Sequence, residues 1–336
     1  MKTVFTISTS FLTEVGHDRA YHTSLQNAFQ NLGYRVFTFI PLACRATNLP
    51  PNWISFFRRS RLLDYLRLLK RDVDILFLES YGLSELFALF IALLIRRRHL
   101  ALWQVIRDSR RSRTHALMSH LLRWTLRGNY HLFSDSALVI RAFKQPMTLL
   151  PIPHTPLPGT TRSSDKVSLW LPGAPRAEKG LQQLHTFCRS KDPTLRQMKL
   201  FLSPTPLFDT PLDIEIQWVP TALSRKDYCQ LFHEVDILLF PYDPLLYATR
   251  TSGPFVEAIT LNKCVFTRNG SWLAHELRQH DLSECILDWD APLAPTQMLA
   301  VFYDETVREK RAKMYRAYKE FHNEETFQKS LKSCLV

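Results

Sequence analysis

The sequence predicts an α/β protein of two domains, each built on a doubly wound parallel sheet. Three observations carry that reading. At 336 residues the chain is long for a single hydrophobic core, so two α/β domains are the natural division. Each half contains a β-loop-α-β unit, one opening the chain and one spanning residues 236–266. Between Gln145 and Lys166 the prolines crowd at 146, 151, 153, 156 and 158, a composition that marks a linker.

Residues 4–8 alternate apolar and small polar side chains and give a first strand. Gly16 and His17 follow in a loop, where a doubly wound sheet places its first ligand loop. A helix over 21–32 ends at Gly33, a C-terminal cap, and 36–40 is the next strand. Residues 53–71 mix Trp53, Phe56 and Phe57 with arginines; positions 62, 65, 66 and 69 form one helical stripe. Strands over 74–79, 100–106 and 131–133 alternate with helices over 85–95, 114–127 and 136–143. Arg107, Asp108, Ser134 and Asp135 stand at strand ends and are candidates to face a cleft.

Past the linker, strands over 168–171 and 199–202 flank a helix over 179–189, and 214–219 is a further strand. A helix over 224–232 has Ser224 as its N-cap. Residues 236–240 read as a buried strand. A loop with Arg250, Thr251, Ser252 and Gly253 then leads into a helix carrying Pro254 in its first turn. Free N–H groups and the helix dipole at that entry suit an anion. Residues 264–266 form the next strand, and the tail over 306–334 is strongly helical.

The formal net charge is +12, and it is one-sided. Residues 1–160 hold 21 Lys+Arg against 9 Asp+Glu, while the remaining 22 of each cancel. Such a surface suits an anionic partner: membrane lipid or a phosphorylated substrate. Nucleic acid is disfavoured, because neither zinc-finger spacing nor an RNP-like aromatic motif is present. Six cysteines are scattered with no CxxC pair, as expected of reduced thiols in a cytoplasmic protein. The N-terminus has no continuous apolar segment of the kind a signal peptide needs. The longest apolar run, 86–95, is about half of a bilayer crossing.

Two segments resemble a family. Pro241-Tyr-Asp243, Tyr247, Arg250, Ser252-Gly253, Phe255 and Glu257-Ala258 are similar to the donor-binding segment of bacterial glycosyltransferases of the GT-B fold, close to glycosyltransferase family 4. The run 171–181, LPGAPRAEKGL, is similar to the strand-loop-helix that opens the nucleotide domain there. The resemblance covers roughly residues 165–275. It implies two Rossmann-like domains: 1–150, an acceptor and membrane-facing domain; 151–166, the linker; 167–310, the nucleotide-sugar domain; and 311–336, a helix crossing back to the first domain.

By the same resemblance Arg176 and Lys179, beside Gly173, clamp the donor diphosphate. Arg250 adds a cation next to the Ser252–Gly253 nest, with Thr251 between. Glu257 accepts hydrogen bonds from the ribose, and Gly16 and His17 lie beneath the sugar. Many relatives carry a second Glu where this chain has Thr249, so Asp243 or Tyr247 is the candidate sugar contact. Asn262 and Cys264 replace the usual Gly and Pro; Asn tolerates a left-handed turn.

The expected activity is transfer of a sugar from a UDP- or GDP-linked donor to a glycan or lipid-linked acceptor of the cell envelope, with retention and without metal, the cations above neutralising the diphosphate. A scaffold of the same fold, or a nucleotide-sugar epimerase, is the competing expectation. The basic, aromatic segments 53–71 and 96–113 are expected to dock on the inner face of the membrane, or else to be ordinary packed helices.

Overall fold

A computed structural model describes residues 1–9, 18–45, 49–57, 61–97, 99–108, 112–143, 145–153, 165–208 and 212–335. Gly16 and His17 lie outside the described residues. The chain divides into two compact units.

Unit 1 holds a seven-stranded parallel sheet in the order β3-β2-β1-β4-β5-β6-β7. Its strands are β1 (Thr3–Ser8), β2 (Arg35–Pro41), β3 (Trp53–Phe57), β4 (Ile75–Ser80), β5 (Ala101–Val105), β6 (Tyr130–Ser134) and β7 (Thr148–Leu149). Side chains alternate across a strand, so one strand feeds two cores. Phe5, Leu76, Leu102 and Leu132 point to one face, where α2 (Arg61–Leu68), α3 (Leu83–Arg96), α4 (Ser112–Thr125) and α5 (Ala137–Phe143) cover them. Val4, Phe77, Trp103 and Phe133 point to the other, against α1 (Asp18–Asn31). One helix cannot cover that face. The C-terminal helix α12 (Glu324–Lys332) completes it with Phe327 and Leu331, and Ser24 Oγ donates to Glu324 Oε1 at 2.8 Å. Burying those two side chains stabilises the unit by about 1.5–3 kcal/mol each.

Unit 2 has five parallel strands in the order β10-β9-β8-β11-β12. They are β8 (Val167–Trp170), β9 (Met198–Leu202), β10 (Glu215–Trp218), β11 (Ile237–Phe240) and β12 (Cys264–Thr267). Every residue of β8, β11 and β12 is buried, as expected where helices cover both faces. Those helices are α6 (Leu181–Cys188), α7 (Arg225–Glu234), α8 (Gly253–Thr260), α9 (Trp272–Gln279), α10 (Ala294–Tyr303) and α11 (Glu305–Phe321). In each unit the strand order reverses beside the first strand, at β1/β4 and at β8/β11.

Four expectations are corrected. Residues 53–57 form the edge strand β3, not part of a helix, because Trp53, Ile54, Phe56 and Phe57 favour a pleated surface. The predicted linker begins with a short strand, β7. The helix placed at 179–189 starts only at Leu181, since Gly180 has φ +74° and cannot continue a helical turn. The helical tail is two helices broken at His322–Asn323: α11 stays in unit 2, packed on α8, and α12 alone joins unit 1. Asn262 has φ +56° and takes the left-handed place after α8. There Asn262 N–H donates to Ile259 O and Lys263 N–H to Ala258 O, both at 2.9 Å, which closes the helix as glycine would.

Candidate functional site

In an open parallel sheet, ligands sit beyond the carboxyl ends of the strands where the order reverses. In unit 2 that place is taken by the loops after β8 and β11. Gly173 (φ +76°) and Gly180 (φ +74°) bend the first loop around a single 3-10 turn, Ala177–Lys179. Pro241, Asp243 and Pro244 interrupt the second. The loops are bonded together, Asp243 N–H donating to Glu178 O at 3.0 Å. A Cβ on Gly180 would lie 1.8 Å from Pro241 O. Only glycine lets the two backbones approach this closely.

Three predicted cations converge on this junction. Lys179 is half-buried and its Nζ donates to Pro172 O at 2.7 Å. It rests where a Cβ on Gly173 would stand, 2.9 Å away. Burial, with Arg176 and Arg250 nearby, draws its ammonium down to about 8 against the pull of Glu178. Arg176 is exposed and paired with Glu178 at 3.0 Å. The Arg250 guanidinium lies 5.2 Å from the Tyr247 ring centre. Mutual repulsion among three cations is relieved by an anion placed between them.

The α8 N-terminus adds backbone donors. Ser252 is its N-cap, accepting from Phe255 N–H at 3.4 Å, and Pro254 occupies the first turn. Ser252 is also hydrogen-bonded to Tyr242, whose phenol burial raises strongly. Tyr242 packs on Tyr247 at 4.4 Å between ring centres, and both feel Arg176 and Arg250. Two aromatic rings thus form the floor beneath the cations.

Glu257, one turn into α8, is buried. Its carboxylate accepts from the Tyr228 hydroxyl through Oε2 and pairs with Arg225 through Oε1 at 3.5 Å. Tyr228 is wedged against Trp170 at 5.6 Å. Burial and the neighbouring carboxylate raise its phenol, so it remains a donor. The carboxylate is therefore fixed in position, with acceptor capacity beyond these two partners.

The other candidates fall as follows. Asp243 Oδ1 accepts from Leu245 N–H at 2.7 Å, which holds its own loop. Tyr247 is buried and its carbonyl accepts from Trp272 N–H at 2.7 Å. Thr249 and Thr251 lie partly exposed in the same loop. Cys264 is buried in β12, hydrogen-bonded to Cys285. In unit 1, Ser134 donates to Ile106 O at 2.6 Å. Arg107 bridges Glu79 and Asp135, the latter at 3.2 Å, while His22 Nε2 stands 3.5 Å from Glu79. This ionic cluster sits at the carboxyl ends of β4, β5 and β6.

Sequence reasoning missed Gly180, Tyr242, Arg225 and Tyr228 at the unit 2 site, and Glu79 and His22 in unit 1. Gly180 and Tyr242 stand inside the two motifs, so the sequence carried a signal for both. Arg225 and Tyr228, three apart behind the Ser224 cap, share a helical face, but nothing local ties that face to Glu257.

No family model matches the chain, and no curated protein matches its sequence. Solved structures do match its fold. These include Anabaena HepE in complex with UDP-glucose, at 11% identity and TM-score 0.70, covering 100% of this chain and 99% of that one. A Listeria monocytogenes structure assigned as a UDP-N-acetylglucosamine 2-epimerase aligns at 10% identity and TM-score 0.63, over 100% and 96%. An alpha-glucosyltransferase in complex with UDP and a 13-mer DNA aligns at 12% and 0.59, over the whole of both chains. The fold is thus the two-domain, Rossmann-like GT-B fold.

Proposed function

We propose that this chain is a glycosyltransferase that takes its sugar from a nucleoside diphosphate donor, UDP-linked by preference. One observation carries the reading: Arg176, Lys179, Arg250 and the α8 N-terminus gather where two loops meet at the strand-order reversal. Breaking a sugar–diphosphate bond leaves negative charge on the diphosphate, and preorganised cations and N–H groups stabilise it as it develops. Glu257 accepts from the ribose hydroxyls. The reaction retains anomeric configuration, the cations serve in place of a metal, and the acceptor is a glycan or glycolipid of envelope polysaccharide or lipopolysaccharide assembly. UDP bound to HepE and to the glucosyltransferase supports the choice of nucleotide.

A thermal-shift panel tests it, because a ligand that binds only the folded state raises the melting temperature. UDP is expected to raise it, and Lys179→Ala to remove most of the rise. No response to any nucleoside diphosphate overturns the reading. The Listeria neighbour supports a second reading, epimerisation. Incubation with UDP-N-acetylglucosamine alone separates the two, since an epimerase yields an altered sugar without an acceptor. A scaffold that binds UDP yet cleaves no sugar nucleotide is the third outcome, and Thr249 in place of a carboxylate is what favours it.

A further inference from the structure

Among the described residues, the outer face of α3 and α4 is left open. Inward, α3 buries Leu86, Leu89, Ala92 and Leu93, and α4 buries Met118 and Leu122. Those side chains complete the core on that side of the unit 1 sheet. Yet α3 is apolar all round: Phe87, Ile91, Leu94 and Ile95 form a second stripe at i, i+4, i+7 and i+8. On α4, Leu117 and Trp124 do the same, with Leu121 between them packed partly against the core. Phe87 is 57% exposed, Ile95 60%, Leu117 60% and Trp124 74%. A helix apolar on both sides is normally covered on both. The two helices touch, cover the same sheet face and follow neighbouring parallel strands. Their outer stripes therefore lie side by side and end together.

Those ends are ringed by arginine. Arg96 and Arg97 close α3, and Arg123 and Arg127 close α4. Arg97 and Arg127 have φ +46° and +52°, a left-handed place where glycine is less strained. The one carboxylate on either helix, Glu85, is buried. A second copy docked with its helices parallel to these brings arginine ends onto arginine ends, and docked antiparallel it offers those arginines no exposed carboxylate from either helix. The complementary surface is anionic outside and apolar within. At 14 residues α3 is about 21 Å long, and no described helix is long and apolar enough to cross a membrane.

We propose that the α3–α4 face is an interfacial membrane-docking surface, with Trp124, Ile95, Leu117 and Phe87 entering the acyl boundary and Arg96, Arg97, Arg123 and Arg127 meeting anionic lipid headgroups. This moves docking away from 53–71, whose stripe residues Leu62, Tyr65, Leu66 and Leu69 pack into the sheet core, and keeps Arg96 and Arg97 from the segment 96–113. It does not depend on the donor site.

The test is co-sedimentation of the full chain with vesicles of phosphatidylcholine, alone or mixed with phosphatidylglycerol. Binding to the mixed vesicles is expected to fall about fivefold for each Arg→Ser change and to collapse at high salt. Trp124→Ala with Ile95→Ser is expected to abolish it, with the circular dichroism spectrum unchanged. Three results overturn the proposal: no binding to anionic vesicles, equal binding to phosphatidylcholine alone, or a wild-type dimer that Trp124→Lys dissociates.

Discussion

Gly180 and Pro241 fix the junction of the two site loops: a Cβ on Gly180 would lie 1.8 Å from the Pro241 carbonyl oxygen. No side chain fits without separating the loops after β8 and β11, and these carry Lys179 and Arg250. Gly33 is the internal control, with φ +82° but nothing within 4 Å of its Cβ position. Gly33→Ala meets only backbone strain and is expected to cost about 1–2 kcal/mol. Gly180→Ala adds a clash with backbone and is expected to cost about 3 kcal/mol or more, with UDP binding lost. Chemical denaturation decides: equal midpoints for the two variants would show that the loops do not depend on this contact.

Lys179 predicts a pH signature. Free, its ammonium releases a proton near pH 8; beside a diphosphate it holds it to higher pH. At pH 7 the group is charged in both states and binding takes up no proton through it. At pH 9 the free side chain is mostly neutral, so UDP binding should take up close to one proton. Affinity should fall with rising pH above 8, by at most about tenfold per unit. Calorimetry in buffers of different ionisation enthalpy measures the uptake. Lys179→Arg should abolish it; uptake that survives this change assigns the proton to another group.

A ribose-accepting role for Glu257 predicts that recognition of ribose and recognition of phosphate can be separated. Glu257→Gln keeps an acceptor for Tyr228 and fills the same volume, so the melting temperature should move little. It removes the charge that strengthens hydrogen bonds from ribose hydroxyls. UDP affinity is expected to drop about tenfold, or about 1.4 kcal/mol, with pyrophosphate affinity unchanged. Lys179→Ala should weaken both ligands. If Glu257→Gln weakens pyrophosphate as much as UDP, the carboxylate acts on the phosphates or on the loop and the ribose assignment fails.

What the sequence disclosed follows from the range of the forces involved. The buried strands 237–240 and 264–267 and the helix entry at Ser252–Gly253 rest on local pattern, and the structure has them close to where the pattern put them. Arg176, Lys179, Arg250 and Ser252 stood out because two short motifs carry them, and the structure brings those two motifs to one junction. Tyr228 and Arg225 were not: they reach Glu257 from a helix about thirty residues away, and no periodicity encodes a tertiary hydrogen bond. Gly180 stood in a quoted motif, but its left-handed φ and its clash with Pro241 exist only once the loops are packed. The break at His322–Asn323 was invisible for a similar reason. Only the uncovered face holding Trp103 and Phe77 explains why the chain leaves one helix and starts another.

The ionic cluster of unit 1 gives the last prediction. Burial disfavours the charge on Glu79, but Arg107 and His22 outweigh it and hold the carboxyl near 2, below its ordinary 4.5. A carboxylate lowered in the folded state contributes stability above the unfolded value and loses it as pH falls from about 4.5 toward 2. Arg107→Met takes from the buried Glu79 and Asp135 the cation that bridges them, leaving His22 beside Glu79. Breaking such a buried pair costs about 3–5 kcal/mol at neutral pH. Without Arg107 the Glu79 carboxyl titrates higher, so acid neutralises it and reduces the penalty. The gap between wild type and variant should therefore be widest near pH 7 and narrow steadily toward pH 3, where the wild type has lost part of its own advantage. Urea denaturation across that range measures it. A gap independent of pH would mean that Arg107 stabilises unit 1 by packing on Tyr21, whose ring centre lies 4.8 Å from its guanidinium, and not through its charge.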